Sequence, residues 1–390
     1  MKATLYSNKV FGVFNDSYPP IMDGVAVATK NYAFWLNRLQ YASCVVTPKT
    51  PNYVNDEPFP VYRYASVPLL LRKPYRLGIP EIDVSFNHKL DRIPFGLLHA
   101  HCPFSSGHLA LKIAKERNLP IVATFHSKYR DDFARVVHTQ TVLDLLIKEL
   151  ISFYEKVDEV WIPQAAVEQT IREYGFKGKV RVVENGSDMN FEGDIRAFKQ
   201  DARIELGISD NTICLLFVGQ HIWEKNTELI IRSLAGLGDV NYKMFFVGTG
   251  YAVDEMKALV DALSISEHVV FVGQVNDRST LKKYYAAADL FLFPSLYDNA
   301  PLVLREAAVF HTPGLLVEGA TAAEVIQQQY NGFLIQNNTE SMIACIRNLY
   351  NDKSKINNVG QQAANTLTRS WENVMHEVAQ HYERIIFDKK

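Results

Sequence analysis

The stretch from Tyr284 to Pro313, YYAAADLFLFPSLYDNAPLVLREAAVFHTP, constrains the chain more than any other. Leu290, Phe291, Leu292 and Phe293 form an apolar run without alternation, the pattern of a short strand buried on both faces. Pro294 and Ser295 end it. Asp298, Asn299 and Ala300 make a polar turn, and Pro301 suits the first turn of a helix, where no backbone donor is needed. That helix is predicted through Leu302 to Ala308. A helix that starts at the carboxyl end of a buried strand presents unpaired N–H groups and a partial positive charge, a ready place for a phosphate. Two carboxylates bracket the helix start, Asp298 before it and Glu306 on its second turn. A capping Asp and a solvated Glu would give the same pattern, because acidic residues are common there.

The same alternation of buried strand and helix runs through the rest. In the first half we read strands at 10–14, 44–47, 97–101, 121–125, 160–163 and 180–183, with helices at 25–39, 108–117 and 165–173. A Pro- and Gly-rich turn, Asn15 to Gly24, joins the first strand to the first helix, a place for close approach to a ligand. His126 ends the strand at 121–125 and so faces the crevice where open α/β sheets bind ligands, although a lone histidine is commonly structural. In the second half, strands at 212–218, 243–247, 269–272, 290–293 and 314–317 alternate with helices, and a last helix opens at Ser370-Trp371-Glu372. Gly248-Thr249-Gly250 lacks the third Gly and the downstream acid of a dinucleotide fingerprint and reads as a plain strand–helix turn.

A chain of 390 residues suits two domains, and 47% apolar with 22% charged residues is a globular composition. No apolar run approaches a bilayer span, and the N-terminus shows no signal-peptide pattern, so a cytoplasmic location is expected. Cys44, Cys102, Cys214 and Cys345 are far apart, which fits reduced thiols rather than a zinc site or a disulfide framework. Residues 1–181 carry 23 Lys and Arg against 17 Asp and Glu; residues 182–390 carry 18 against 26. A basic half joined to an acidic half suggests a lobe facing something anionic, with ordinary scatter as the plain alternative. The segment Ser66 to Pro80 mixes leucines with Arg72, Lys73 and Arg76. Such a mix can settle reversibly on an anionic lipid surface, or it can be a surface loop whose leucines pack beneath it.

The register from the buried strand and Pro294-Ser295 through Asp298 to Glu306-Ala307 resembles the acid-x7-acid motif of retaining glycosyltransferases of the GT-B fold, family 4 type (glycosyl transferases group 1). Other strings resemble that family in order along the chain: Thr124-Phe125-His126, Asn185-Gly186-Ser187-Asp188, Gly219-Gln220 followed by Glu224-Lys225, and Gly273-Gln274-Val275. The Pro-rich Tyr75-Arg76-Leu77 segment resembles one found in members that glycosylate membrane lipids, diacylglycerol glycosyltransferases above all.

The resemblance implies two Rossmann-like α/β domains with a cleft between them: an acceptor domain, 1–187, joined by a C-terminal helix, 372–390, that crosses back to it, and a donor domain, 188–371. The hinge is placed from Glu184 through the polar stretch to about Lys199. It implies hexose transfer, with retention, from a nucleoside-diphosphate sugar (UDP-glucose first) to a membrane lipid such as diacylglycerol or to a cell-envelope glycan. It implies no catalytic metal, no cofactor and no nucleic-acid partner, and peripheral contact with an anionic membrane. By position, His126, Asp298 and Lys225 carry the chemistry. Gly24, Gly219, Gln220, Lys225, Val275, Asp298, Asn299, Ala300, Pro301, Leu302 and Glu306 hold the donor, with Lys225 on the diphosphate and Glu306 on the ribose. Arg72, Lys73, Arg76, Tyr129 and Arg130 face the acceptor or the membrane.

Three departures from the family pattern stand out: Asp298 replaces the usual Glu, Gln220 the usual Arg, and Asp23 a Gly of the first loop. Arg305 is a candidate substitute for the missing arginine. Two other functions fit the same residues: a GT-B epimerase or hydrolase acting without acceptor, and a catalytically weak nucleotide-sugar-binding module.

Overall fold

The computed structural model describes residues 9–21, 23–69 and 74–389. Arg72 and Lys73, with the neighbouring Leu70 and Leu71, lie outside the described residues. The chain divides into two compact units, one reaching Asn185 and taking in the residues from Trp371 on, the other spanning Gly186–Ser370. Both are Rossmann-like.

The first unit contains β1 (Val10–Phe14), α1 (Gly24–Arg38), β2 (Ser43–Pro48), β3 (Val61–Tyr64), β4 (Ser66–Pro68), β5 (Arg76–Gly78), α2 (Val84–Asp91), β6 (Phe95–Ala100), α3 (Ser105–Arg117), β7 (Ile121–Thr124), α4 (Tyr129–Ala134), α5 (Gln140–Tyr154), β8 (Glu159–Ile162), α6 (Val167–Glu173) and β9 (Val180–Val182). Seven strands form one parallel sheet in the order β3-β2-β1-β6-β7-β8-β9, and β4 pairs antiparallel with β5 in a separate ribbon. Strands such as β2 and β6 are buried at every residue, as apolar runs covered by helices on both faces must be. The C-terminal helix, Trp371–Asp388, completes this unit. Trp371, Val374, Met375, Val378, Ala379, Tyr382, Ile385 and Ile386 recur at helical spacing and are all buried. Each of the Val, Met and Ile side chains among them contributes about 1.5–3 kcal/mol. Past its end, Lys389 Nζ donates to Asp158 at 2.7 Å, so the basic tail is fastened to the first unit.

The second unit contains α7 (Ile195–Glu205), β10 (Ile213–Val218), α8 (Thr227–Ala235), β11 (Tyr242–Val247), α9 (Val253–Ala262), β12 (Val269–Gly273), α10 (Arg278–Ala287), β13 (Leu290–Leu292), α11 (Leu302–Val309), β14 (Gly314–Val317), β15 (Gly332–Ile335), α12 (Thr339–Tyr350) and α13 (Lys353–Leu367). Its sheet is parallel throughout, ordered β12-β11-β10-β13-β14-β15. The polar stretch read as hinge up to Lys199 is shorter than expected. Asp194 accepts from the amides of Arg196 and Ala197 and starts α7, whose Phe198 stacks on Phe191 at 4.8 Å. Helix α11 begins at Leu302 as read, with Pro301 just before it in an extended conformation rather than within its first turn. Among the described residues, no helix is long and apolar enough to cross a membrane.

Candidate active site

In each sheet the strand order reverses once, between β1 and β6 in the first unit and between β10 and β13 in the second. Ligands of open α/β sheets bind outside the carboxyl ends of the strands at such a switch point. In the second unit the loops leaving β10 and β13 carry Lys225 and Asp298, 73 residues apart, and their side chains meet there. Lys225 Nζ donates to Asp298 Oδ1 at 2.6 Å. The side chains are only 12% and 17% exposed, so the pair is screened far less than a surface one. Ser295 Oγ donates to the other carboxylate oxygen at 2.6 Å, and Lys225 Nζ lies 5.4 Å from the centre of the Phe293 ring. An ammonium has three donors, so Lys225 can hold Asp298 and still meet an anion.

The loops behind this pair are knitted by their backbones. Gly219 N donates to Val247 O, His221 N to Thr249 O, and Gly248 N to Gly273 O. Gly248-Thr249-Gly250 is therefore a packing device, as the missing fingerprint residues suggested. A Cβ on Gly248 would lie 2.0 Å from Gly219 O, and its φ is +131°. One on Gly250 would lie 2.2 Å from His221 O. Gly248→Ala is expected to cost about 1–3 kcal/mol through backbone strain and to displace the Gly219–Lys225 loop, read as a lower melting temperature together with weaker donor binding.

Glu306 is 5% exposed on α11. Tyr285 Oη donates to its Oε2 at 2.7 Å, and Arg278 Nη2 to its Oε1 at 3.0 Å. The same guanidinium nitrogen also meets Asp188. Burial raises the Glu306 carboxyl above its usual range; Arg278 and the Tyr285 hydroxyl work against that, while Asp188 adds to it. Asn299 is buried in the turn, Ala300, Pro301 and Leu302 are half-buried on the approach to α11, and no side chain caps that helix. Val275 is half-buried against the core, and Gln220 is exposed. Arg305 is no substitute for the missing arginine. It is 7% exposed and donates to Leu367 O at 3.0 Å, because one position from Glu306 on a helix is a turn of about 100° towards α13.

In the first unit, three imidazoles stack in series. His99, on the interior strand β6, and His101, two residues on, stack with centroids 4.2 Å apart, and His101 stacks on His126 at 5.2 Å. His101 Nδ1 and His126 Nε2 share a hydrogen bond of 2.9 Å. His99 meets Thr124 Oγ1 at 2.7 Å and the Tyr382 hydroxyl of the C-terminal helix. Burial lowers all three below the ordinary imidazole value, His126 to about 3, so they are neutral at pH 7. Asp23, which replaces a Gly of the family's first loop, caps α1, accepting from Ala26 N at 2.8 Å and from Ser17 and Tyr75 hydroxyls. Gly24 is the first residue of that helix, with nothing within 4 Å of an added Cβ.

The acceptor assignment of Tyr129 is corrected by its packing. It is 4% exposed, with its ring against Phe104, Phe125 and Phe133. Arg130 is ion-paired with Asp144. Arg76 donates to Ser66 Oγ and Ser66 O, pinning the β4–β5 ribbon.

Sequence reasoning did not find Arg278, Tyr285, Asp188, Ser295 or His101 as site residues. Arg278 and Tyr285 are seven apart on α10 and so share a face, which was the one readable sign. Among the described residues no group of three or more His, Cys, Asp and Glu could hold a metal ion.

Two parallel, doubly wound sheets, the second with a cation–carboxylate pair at its switch point, define a two-unit Rossmann-like protein. Residues 198–366 match the model for glycosyl transferases group 1. Residues 22–191 match the model for glycosyltransferase family 4. Together these cover most of the chain, and the protein belongs to the GT-B glycosyltransferases of that family. It is 26% identical, over 77% of its length and 69% of the relative's, to alpha-monoglucosyldiacylglycerol synthase of Streptococcus pneumoniae. The sucrose-phosphate synthase of Thermosynechococcus elongatus superposes with a TM-score of 0.80 at 18% identity, covering 97% of this chain and 100% of that one. The Anabaena protein HepE in complex with UDP-glucose superposes with a TM-score of 0.75 at 16% identity, covering 96% and 99%.

Proposed function

We propose that the protein is a retaining hexosyltransferase that moves glucose from UDP-glucose to diacylglycerol at an anionic membrane surface on the cytoplasmic side. The observation that carries the reading is the Lys225–Asp298 pair at the switch point of the second unit, beside the uncapped start of α11. Departure of a nucleoside diphosphate builds negative charge on the leaving oxygen. Lys225 and the N–H groups of α11 are fixed donors for that charge and need no reorganisation at the moment of reaction. Glu306, held by Tyr285 and Arg278, accepts hydrogen bonds from the ribose hydroxyls. Asp298 meets a hydroxyl of the transferred sugar, and His126, in the first unit, is a neutral imidazole at the carboxyl end of β7. With Asp298 engaged by Lys225 and Ser295, the departing phosphate itself assists the incoming hydroxyl, and the enzyme supplies position and charge. The reaction uses no metal. The streptococcal relative's name, with its glucose and diacylglycerol, supports the choice of donor sugar and acceptor.

The test is a donor screen. UDP-, ADP- and GDP-glucose and UDP-galactose are each incubated with and without diacylglycerol vesicles, with and without EDTA, and release of nucleoside diphosphate is followed. The reading expects fast release only with UDP-glucose plus vesicles, unaffected by EDTA. Release without acceptor favours the epimerase or hydrolase, and binding with no turnover on any acceptor favours the binding module.

The membrane part has its own test. Val67, Leu69 and Leu77 are 45%, 36% and 48% exposed on and beside the β4–β5 ribbon. They are placed to dip towards the acyl boundary while neighbouring cations meet lipid phosphates, each adding roughly 1 kcal/mol within a Debye length. The protein is expected to pellet with anionic vesicles, to be released by salt, and to lose binding when Arg72 and Lys73 become Glu. Indifference to vesicles at low salt, or transfer only to water-soluble glycans, contradicts it.

A further inference from the structure

We propose that Arg278 is a positioning residue for donor recognition: lodged between Glu306 and Asp188, it holds Glu306 in one rotamer and in its ionised form, so that the carboxylate can read the vicinal hydroxyls of the donor's ribose. The inference rests on the donor-site reading above and goes beyond it. Arg278 opens α10 directly after Asp277, which caps the helix by accepting from the amides of Ser279 and Thr280. The cap fixes where the helix begins, and with it the direction in which the Arg278 side chain leaves. From there one guanidinium nitrogen reaches Glu306 Oε1 at 3.0 Å on α11 and also meets Asp188, on the segment that enters the second unit.

The charges explain why an arginine is needed at this point. Glu306 is 5% exposed, and a buried carboxylate tends to take up a proton. Asp188 stands nearby with the same sign and pushes in the same direction. Two groups oppose this, the Tyr285 hydroxyl from α10 and the Arg278 guanidinium, and only Arg278 is charged. Without it, two carboxylates would face one another with no cation between them, and Glu306 would be protonated at a higher pH. A protonated carboxyl keeps one oxygen occupied by its own proton and no longer accepts two ribose hydroxyls. The rotamer would also be held from one side only, by Tyr285. Arg278 itself is 42% exposed, so its replacement removes little packing and the fold should survive.

The experiment measures affinity for whichever of UDP, ADP and GDP the wild-type protein binds tightest, and for its 2′-deoxy form, from pH 5.5 to 8.5. Five proteins are compared: wild type, Arg278→Met, Arg278→Lys, Glu306→Gln and the Arg278→Met/Glu306→Gln double variant that closes the cycle. Wild type is expected to weaken least as the pH falls and to lose about tenfold on the 2′-deoxy ligand. Arg278→Met should bind about tenfold more weakly at pH 7, weaken more steeply as the pH falls, and discriminate little between the two ligands. Arg278→Lys should restore most of the affinity and the wild-type pH profile. Glu306→Gln should be weak at every pH, and the double variant no weaker than Glu306→Gln. If Glu306→Gln binds like wild type, the donor-site reading itself fails. If Glu306→Gln is weak while Arg278→Met keeps wild-type affinity and the wild-type pH profile, the role of Arg278 is overturned and the donor site stands.

Discussion

Replacing Lys225 with alanine is expected to lower kcat/KM for the nucleotide sugar by about 100- to 1000-fold, which is roughly 3–4 kcal/mol of transition-state stabilisation. Two effects add. The variant loses the fixed cation that meets the departing diphosphate. It also strips Asp298 of its partner, since Lys225 Nζ and Asp298 Oδ1 are 2.6 Å apart and largely shielded from water. The carboxylate then stands beside the incoming phosphates with its charge unbalanced. This gives a less obvious result: Lys225→Ala/Asp298→Ala should bind the donor more tightly than Lys225→Ala alone, although neither turns over well. Asp298→Asn, which leaves Lys225 in place, should keep donor affinity and lose turnover. Steady-state kinetics with calorimetric donor binding reads all three. A Lys225→Ala enzyme within twofold of wild type would remove Lys225 from the chemistry.

The first unit should be acid-labile well before the second. His99, His101 and His126 are kept neutral by burial, with folded values below the ordinary 6.5 and His126 at about 3. In the unfolded chain each takes up a proton below about pH 6.5. The unfolded state therefore binds more protons as pH falls, and stability drops by about 1.4 kcal/mol per pH unit for each histidine until the folded value is reached. Between pH 6.5 and 5 His126 alone removes about 1.5–2 kcal/mol, and His99 and His101 act in the same direction. Asp16 works the other way: its burial raises its value, so acid relieves it, but it is one group against three. The second unit has a single fully buried imidazole, His221, lowered to about 4. Hydrogen exchange at pH 7.5, 6.0 and 5.0 should show β6, β7 and the C-terminal helix opening first, with β10 and β13 still protected. Equal protection of both units at pH 5 contradicts the assignment.

What the sequence revealed depended on how local the cause was. Strands buried on both faces announce themselves as unbroken apolar runs, and Ile213–Val218 and Leu290–Leu292 were legible for that reason. Tyr129 was misread because Arg130, Asp131 and Asp132 beside it look like a loop. Asp131 is exposed and Arg130 half-buried on a short helix in which Tyr129 and Asp132 are buried. The meeting of Lys225 with Asp298 joins residues 73 apart, and only motif order and the switch-point rule pointed to it. Arg278 offered only its spacing of seven from Tyr285, since its role depends on α10 lying against α11 and on where Asp188 enters. Arg305 looked available in the string, but the 100° step per residue turns it into the core.

The most direct test of the account is the anomeric configuration of the product. UDP-glucose, an α-linked donor, is incubated with the full-length protein and diacylglycerol vesicles, and the purified glucolipid is examined by proton NMR. The account predicts an α-linked monoglucosyl lipid formed in step with UDP. A β-linked lipid, or UDP released with only free glucose, would contradict it.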